Sequence, residues 1–263
     1  MKKTLSVCFV VLALTFIYAP LLVLFIFSFT DSSVFGQWNG FSLQPYAEIF
    51  TGSRSGRIFT AVSNTFLLAI ISTAISTVLG TLAAIGIFNM RSKTRKLLSN
   101  ANQLPIINAE IVTAVGLMVL FASLLGIKSG WLTLIIGHVS FCTPYVFLSV
   151  MPRLYQMDPN VYEAALDLGA TPTKALRKVL IPMIKPGIIS GAILAFTISL
   201  DDFVITIFNN GSVETLSTYI WSDSKRGGID PTTKALSVVL FIIVLVVLIL
   251  VNIKKSKTNP KEI

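Results

Sequence analysis

Three carboxylates, Glu110 and the adjacent pair Asp201 and Asp202, stand in stretches of sequence that otherwise carry almost no charge. An acid at the depth of a hydrocarbon core costs at least about 2.5 kcal/mol, so such a group marks function by default. No Lys or Arg lies well inside these stretches, so the acids lack a built-in cationic partner. The chemistry open to them is exchange with a mobile cation. The alternative is a bundle-facing carboxyl that is paired with another subunit or protonated. Carboxyls spread along a path suit a flexible polycation better than a compact metal ion, which needs several oxygens converging on one centre. His138 is the only histidine and has no His or Cys near it in sequence, and Cys8 and Cys142 both lie in apolar runs. No metal site, disulfide framework or catalytic residue is therefore assigned, and His138 reads as a structural residue.

These residues need elements to hold them, and composition says which kind. Of 263 residues, 54% are hydrophobic and 13% charged, against about 25% charged in an ordinary soluble domain. The apolar residues come in blocks long enough for helices to cross a core about 30 Å thick at about 1.5 Å per residue. Six spans are read, at about 5–29, 58–88, 104–126, 131–151, 186–208 and 233–253, giving an all-α, polytopic membrane protein. The first block is too long for the apolar region of a signal peptide and lacks a clear A-x-A site, so it is read as a retained helix bent at Pro20.

The net charge of +9 follows from how the spans are oriented. With the N-terminus inside, 15 of the 21 Lys and Arg face the cytoplasm, Lys261 among them. Arg54, Arg57, Lys128, Lys225 and Arg226 face outward, and Lys234 sits at a boundary. This bias places both termini in the cytoplasm and accounts for the basic charge without a nucleic-acid partner, the lipid bilayer being the surface it meets.

The cytoplasmic segment 152–185 is the most informative loop. Asp158-Pro159 opens a short amphipathic helix that ends at Gly169, and Thr171-Pro172 opens a second, which Pro182 and Pro186-Gly187 are expected to break. By composition alone this is a helix pair resting on lipid headgroups. Its spacing says more: Glu163-Ala164-Ala165, three residues, Gly169, nine residues, then Val179-Leu180-Ile181-Pro182. This resembles the EAA loop of ABC-importer permeases, E-A-A, three residues, G, nine residues, I-x-L-P, with Val for Ile as the one departure. The resemblance covers the whole chain. It implies the type I ABC-importer permease fold, a single permease domain over residues 1–263 with six transmembrane helices. It also implies a coupling helix that seats in a cytoplasmic ATPase. Glu163, Ala164, Ala165 and Gly169 would be the coupling residues, with Leu168, Ala170 and Thr171 beside them. G-x-x-x-x-G-K-[ST] is absent, so ATP and Mg are expected on partner ATPase subunits and no cofactor on this chain.

On the fifth span Gly187, Gly191, Ala195 and Ser199 recur every four residues, a small-residue stripe that lets membrane helices approach closely, and Asp202 and Thr206 continue that face. Asp201 lies about 100° around from Asp202, so one acid can line a path while the other orients it. By helix rise the pair sits about 22 Å from the inner end of its span and Glu110 about 9 Å from the inner end of the third. That makes an outer and an inner acidic station, with Ser199 beside the outer one. Trp38, Tyr46, Tyr219 and Trp221 fit an interfacial aromatic belt, with cation-π contact to cargo as the alternative.

The run Ser199-Leu200-Asp201-Asp202-Phe203-Val204 looks like the second membrane subunit of spermidine/putrescine importers, and Glu110-Ile-Val-Thr-Ala-Val resembles that group's third-span segment. Those permeases more often carry Asp at the Glu110 position, so the side chain here is longer. The resemblance implies four kinds of component: this permease, a second homologous permease subunit, two cytoplasmic ATP-binding subunits and an extracytoplasmic polyamine-binding protein. That protein would dock on the outer loops near 30–57 and 209–232. A bacterial inner membrane is implied with it. A permease for iron, thiamine or sulfate would keep the same loop with another lining. An intramembrane aspartyl protease would need a second, separated aspartate motif that the sequence lacks.

Overall fold

The computed structural model describes residues 2–34, 36–225 and 228–258; Arg226 and Lys261, counted above among the cations, lie outside the described residues. The described chain has helices and no strand. In order these are α1 (Lys2–Phe27), α2 (Gln44–Thr51), α3 (Ser55–Phe88), α4 (Ser92–Ile107) and α5 (Glu110–Val119), which passes into a π-helical turn at Leu120–Leu124. Then come α6 (Trp131–Gln156), α7 (Pro159–Asp167) and α8 (Pro172–Ala175), which runs through a second π-helical turn, Leu176–Leu180, into α9 (Ile181–Asp201). The chain ends with α10 (Val204–Asn209), α11 (Leu216–Ser224) and α12 (Pro231–Thr258).

Among the described residues four helical stretches are long and apolar enough to cross a membrane: Val7–Phe27, α3, α6 and the continuous run Pro172–Asp201. The pair α4 and α5 makes a fifth if it is one span, and α12, 28 residues long, covers the sixth expected segment.

Two expected spans are not single helices. The third bends by 98° between Ser92–Ile107 and Glu110–Leu124. Asn108 and Ala109 are extended there, with ψ of 148° and 129°, three residues after Pro105, which has no N–H to hold the last turn together. The fifth stops at Asp202, extended at ψ 127°, and resumes at Val204. Conversely, the break expected at Pro182 and Pro186-Gly187 is absent, because α8 continues into α9. The wider turn at Leu176–Leu180 shifts the backbone register just before Pro182, where an ordinary α-turn would have required the missing N–H.

The chain divides into two compact units, one formed by the described parts of Met1–Phe59 and Tyr219–Ile263, the other by Thr60–Thr218. In the first, α1 and α2 pack against α12. Arg54 bridges Asp223 at 3.2 Å and Asp230 at 2.7 Å, Thr233 donates to Asp223 at 2.7 Å, and Thr232 donates to Glu48 at 3.2 Å. Lys234, placed at a boundary by charge counting, is fully buried and donates from Nζ to the Ser32 carbonyl at 2.8 Å. Ser32, Glu48 and Arg54 are thus tied to Asp223, Asp230, Thr232 and Lys234. Tyr46 bonds Ser28 at 2.6 Å and Tyr219 is buried, whereas Trp38 and Trp221 are exposed, so the aromatics divide between packing and surface.

The second unit is built on the contact of α6 with α9. Cys142, Val146, Phe147, Val150 and Leu154 of α6 form its buried core with Ile184 and Ala195 of α9 and Ala84 of α3. A lipid-facing Leu gains little by moving to a helix interface, so close approach of backbones has to hold these helices together. Glycine permits it on both sides of α6. A Cβ at Gly187 would stand 2.9 Å from the Ser149 carbonyl, and one at Gly80 would stand 2.7 Å from Cβ of Val146. Gly187, Gly191, Ala195 and Ser199 are all buried, so the small-residue stripe is the face that meets α6.

Candidate functional site

The break in the fifth span is organised by Asp202. Its carboxylate turns back over the first turn of α10, accepting from the Ile205 N–H at 3.2 Å, the Thr206 N–H at 2.9 Å and the Thr206 hydroxyl at 2.7 Å. These amides have no helical partner at the start of a new helix, and a carboxylate is the acceptor that satisfies them best. Its main-chain carbonyl accepts from Ser217 at 3.1 Å. Asp202 is only 7% exposed, while Asp201, one residue earlier, is exposed.

His138 of α6 completes this group. One ring nitrogen, Nδ1, lies 2.8 Å from the Ser199 hydroxyl, before the break; the other, Nε2, lies 3.0 Å from the Thr206 hydroxyl, after it, and 3.3 Å from Asp202. The network assigns the protons. Thr206 gives its hydroxyl hydrogen to the carboxylate, so its oxygen accepts from Nε2–H, and in the neutral ring Nδ1 accepts from Ser199. Asp202 therefore has partners that the sequence did not show, two backbone amides, a hydroxyl and an imidazole, none of them a Lys or Arg. Sequence reasoning set His138 aside because its partners come from helices more than 60 residues away.

The expected separation into inner and outer acidic stations is also revised. Glu110 opens α5, directly after the bend, and α5 packs on α10. Its carboxyl is near enough to those of Asp202 and Asp201 for the three to act on one another electrostatically. Helix-rise arithmetic fails because both spans are broken where the acids stand. Asn209 fixes this junction from the far end of α10, donating to the Ala114 carbonyl of α5 at 3.3 Å, while its own carbonyl accepts from Thr133 of α6 at 2.8 Å. Asp201, half-buried Glu110, Asp202 and Ser199 are thus one locality. Of these, Asp201 is exposed, and Asp202 and Ser199 are buried.

The second group is the loop after α6. Asp158 caps α7 by accepting from the Asn160 N–H at 3.0 Å, Thr171 caps α8 by accepting from the Lys174 N–H at 3.4 Å, and both are followed by proline. Between the two helices Gly169 has φ +83°, in the left-handed region that suits glycine, and nothing lies within 4 Å of where its Cβ would be. Glycine is needed here for backbone conformation alone. Glu163, Ala164 and Thr171 are exposed, Ala165 and Ala170 half-buried, and Leu168 is 89% exposed at the tip. The leucine is thus held out of the protein on a well-capped turn. Glu163 also lines a groove of about 400 Å³ with Phe88, Met157, Tyr162, Pro172 and Leu176. Among the described residues no cluster of three or more His, Cys, Asp or Glu is arranged to hold a metal.

Comparison with known proteins bears on the chain as a whole. Residues 76–255 match the family described as binding-protein-dependent transport system inner membrane component. The putrescine transport system permease protein PotI of Escherichia coli strain K12 is 36% identical over 236 residues, 87% of this chain and 83% of that protein. The spermidine/putrescine transport system permease protein PotC of Haemophilus influenzae is 32% identical over 252 residues, 95% of this chain and 96% of that protein. Among solved structures, a bacterial ABC transporter that imports the acidic polysaccharide alginate has a chain matching with TM-score 0.70 at 16% identity, covering 95% of this chain and 96% of that one. An inward-facing structure of the MetNI methionine ABC transporter matches with TM-score 0.60 at 18% identity, covering 74% of this chain and 92% of that one. The structural matches show a shared fold, that of ABC-importer permeases.

Proposed function

The chain belongs to the family of binding-protein-dependent transport system inner membrane components, and from that premise we propose that it is a permease subunit of an ATP-driven importer of the polyamines spermidine and putrescine. The observation that carries this reading is identity of 32 to 36% along nearly the whole chain to permeases named for those two cargoes. Like its relatives the chain is a non-catalytic, multi-pass membrane component. It works with a second, homologous permease, two cytoplasmic ATP-binding subunits that hold ATP and Mg, and an extracytoplasmic polyamine-binding protein. Both termini lie in the cytoplasm of a bacterial inner membrane.

The residues then divide into two tasks. Leu168, Gly169, Ala170 and Thr171, with Glu163, Ala164 and Ala165 of α7, dock on the ATPase. Closure of the ATPase pair displaces this rigid turn, and the permease pair opens outward to the loaded binding protein; hydrolysis returns it inward. Asp201 and Glu110 receive the ammonium groups of the released cargo, while Asp202 and Ser199 hold the broken span that presents them. Contact through separate carboxylates is weak at each point, which lets a polycation pass from one to the next without being trapped.

ATP-dependent uptake of labelled spermidine and putrescine by vesicles carrying the complete transporter tests this, with iron, sulfate and thiamine as controls. Polyamine uptake that depends on this chain is the result expected. Uptake of a control substrate in its place would overturn the cargo and keep the importer.

A further inference from the structure

His138 stands fully inside the protein, 2% exposed, and neither task above uses it. What it does follows from where its partners lie. Ser199 is on the last turn of α9 and Thr206 on the first turn of α10, so the two ring nitrogens bridge the break in the fifth span and tie both halves to α6. The residue between them that points outward is Asp201. Backbone at a break has no helical ladder to fix it, and the direction of a side chain there depends on what pins the two ends. On one end the pin is Ser199 to Nδ1, on the other Thr206 and Asp202 to Nε2. Gly137, one residue before His138, lets α10 come this close, since a Cβ there would stand 2.9 Å from Ile205.

We infer that His138 is a positioning residue for transport: by stapling Ser199 to Thr206 across the broken span it fixes the direction of the Asp201 carboxylate toward the cargo. This rests on the polyamine-permease reading above. It differs from a packing role in one respect, because its effect on uptake passes through Asp201 and disappears when Asp201 no longer carries charge.

The experiment uses the complete transporter in lipid nanodiscs and in uptake vesicles, with His138→Ala, His138→Gln, Asp201→Asn and the double variant His138→Ala/Asp201→Asn. Gln places an amide N–H where Nε2–H stands and is the conservative substitution. Hydrogen exchange over residues 199–209 reads the staple without reference to cargo. Protection of the Ile205 and Thr206 amides falls at least about tenfold in His138→Ala and stays near wild type in His138→Gln. For spermidine uptake, His138→Ala raises KM about tenfold with the assembled amount and the maximal rate little changed, and His138→Gln restores KM to within about threefold. In the Asp201→Asn background His138→Ala adds less than about twofold. Unchanged exchange in His138→Ala overturns the staple. Loosened exchange with unchanged KM, or with effects that multiply in the double variant, overturns the positioning role. If the wild type takes up no polyamine, the cargo reading fails, and exchange alone decides whether His138 holds the break.

Discussion

At the scale of single side chains, Asp201 and Asp202 differ in what their carboxylates touch. Asp202 is committed to Ile205, Thr206 and His138, and Asp201 is exposed. Asp202→Ala strips the acceptor from two buried amides, and loss of such a cap costs about 1 kcal/mol. A several-fold drop in assembled transporter and a lowered unfolding temperature in detergent are therefore expected. Asn, itself a good capping residue, should fall between Ala and wild type in both measurements. A cargo contact with no structural role would instead assemble normally in both variants and change only KM. The sequence showed that the two acids point about 100° apart, but it did not show which one is buried. That was decided by a helix break whose only local signal is the Asp-Asp pair itself, and by a histidine on another span.

Elements carry the second level of the argument. The turn between α7 and α8 was legible in full: Asp158-Pro159, Gly169 and Thr171-Pro172 are local signals, and each stands where it was read. Because Gly169 is needed only for its φ of +83°, Gly169→Ala strains the backbone by about 1 kcal/mol without a clash. It should leave assembly intact while weakening stimulation of ATPase activity by the loaded binding protein. Leu168→Glu should abolish that stimulation, since the leucine is fully displayed. Basal ATPase rates with and without binding protein check both variants, and full stimulation in Leu168→Glu would remove the tip from the ATPase contact. The α6–α9 contact gives another test. Gly191→Leu places a side chain where Cβ alone would already stand 3.1 Å from Val146, and loss of the folded permease from the membrane is expected. What the sequence did not disclose were the two π-helical turns. At Leu176–Leu180 the wider turn lets Pro182 sit in a continuous helix; proline usually marks a stop, and the tertiary setting overrides it.

For the molecule as a whole, composition identified a membrane protein, and charge bias is the basis of the orientation proposed for it. Both signals are legible because bilayer thickness and leaflet charge act on long segments and tolerate local irregularity. The same averaging concealed the broken third and fifth spans, whose acids meet at the α5–α10 junction although 91 residues separate Glu110 from Asp201. The topology predicts that a fluorescent reporter fused at the C-terminus glows in the cytoplasm, while alkaline phosphatase fused after Ser212 is active outside. The reverse pattern would contradict the orientation. The central claim is that polyamines pass over carboxylates gathered at two broken helices. The measurement that tests it most directly is the initial rate of spermidine uptake against concentration, in vesicles carrying the complete transporter with wild-type, Asp201→Asn or Glu110→Gln permease matched for assembly. At least about a tenfold loss of kcat/KM in each variant is predicted, with binding-protein affinity for spermidine unchanged. Wild-type uptake in both variants would contradict the claim and return these acids to a purely structural role.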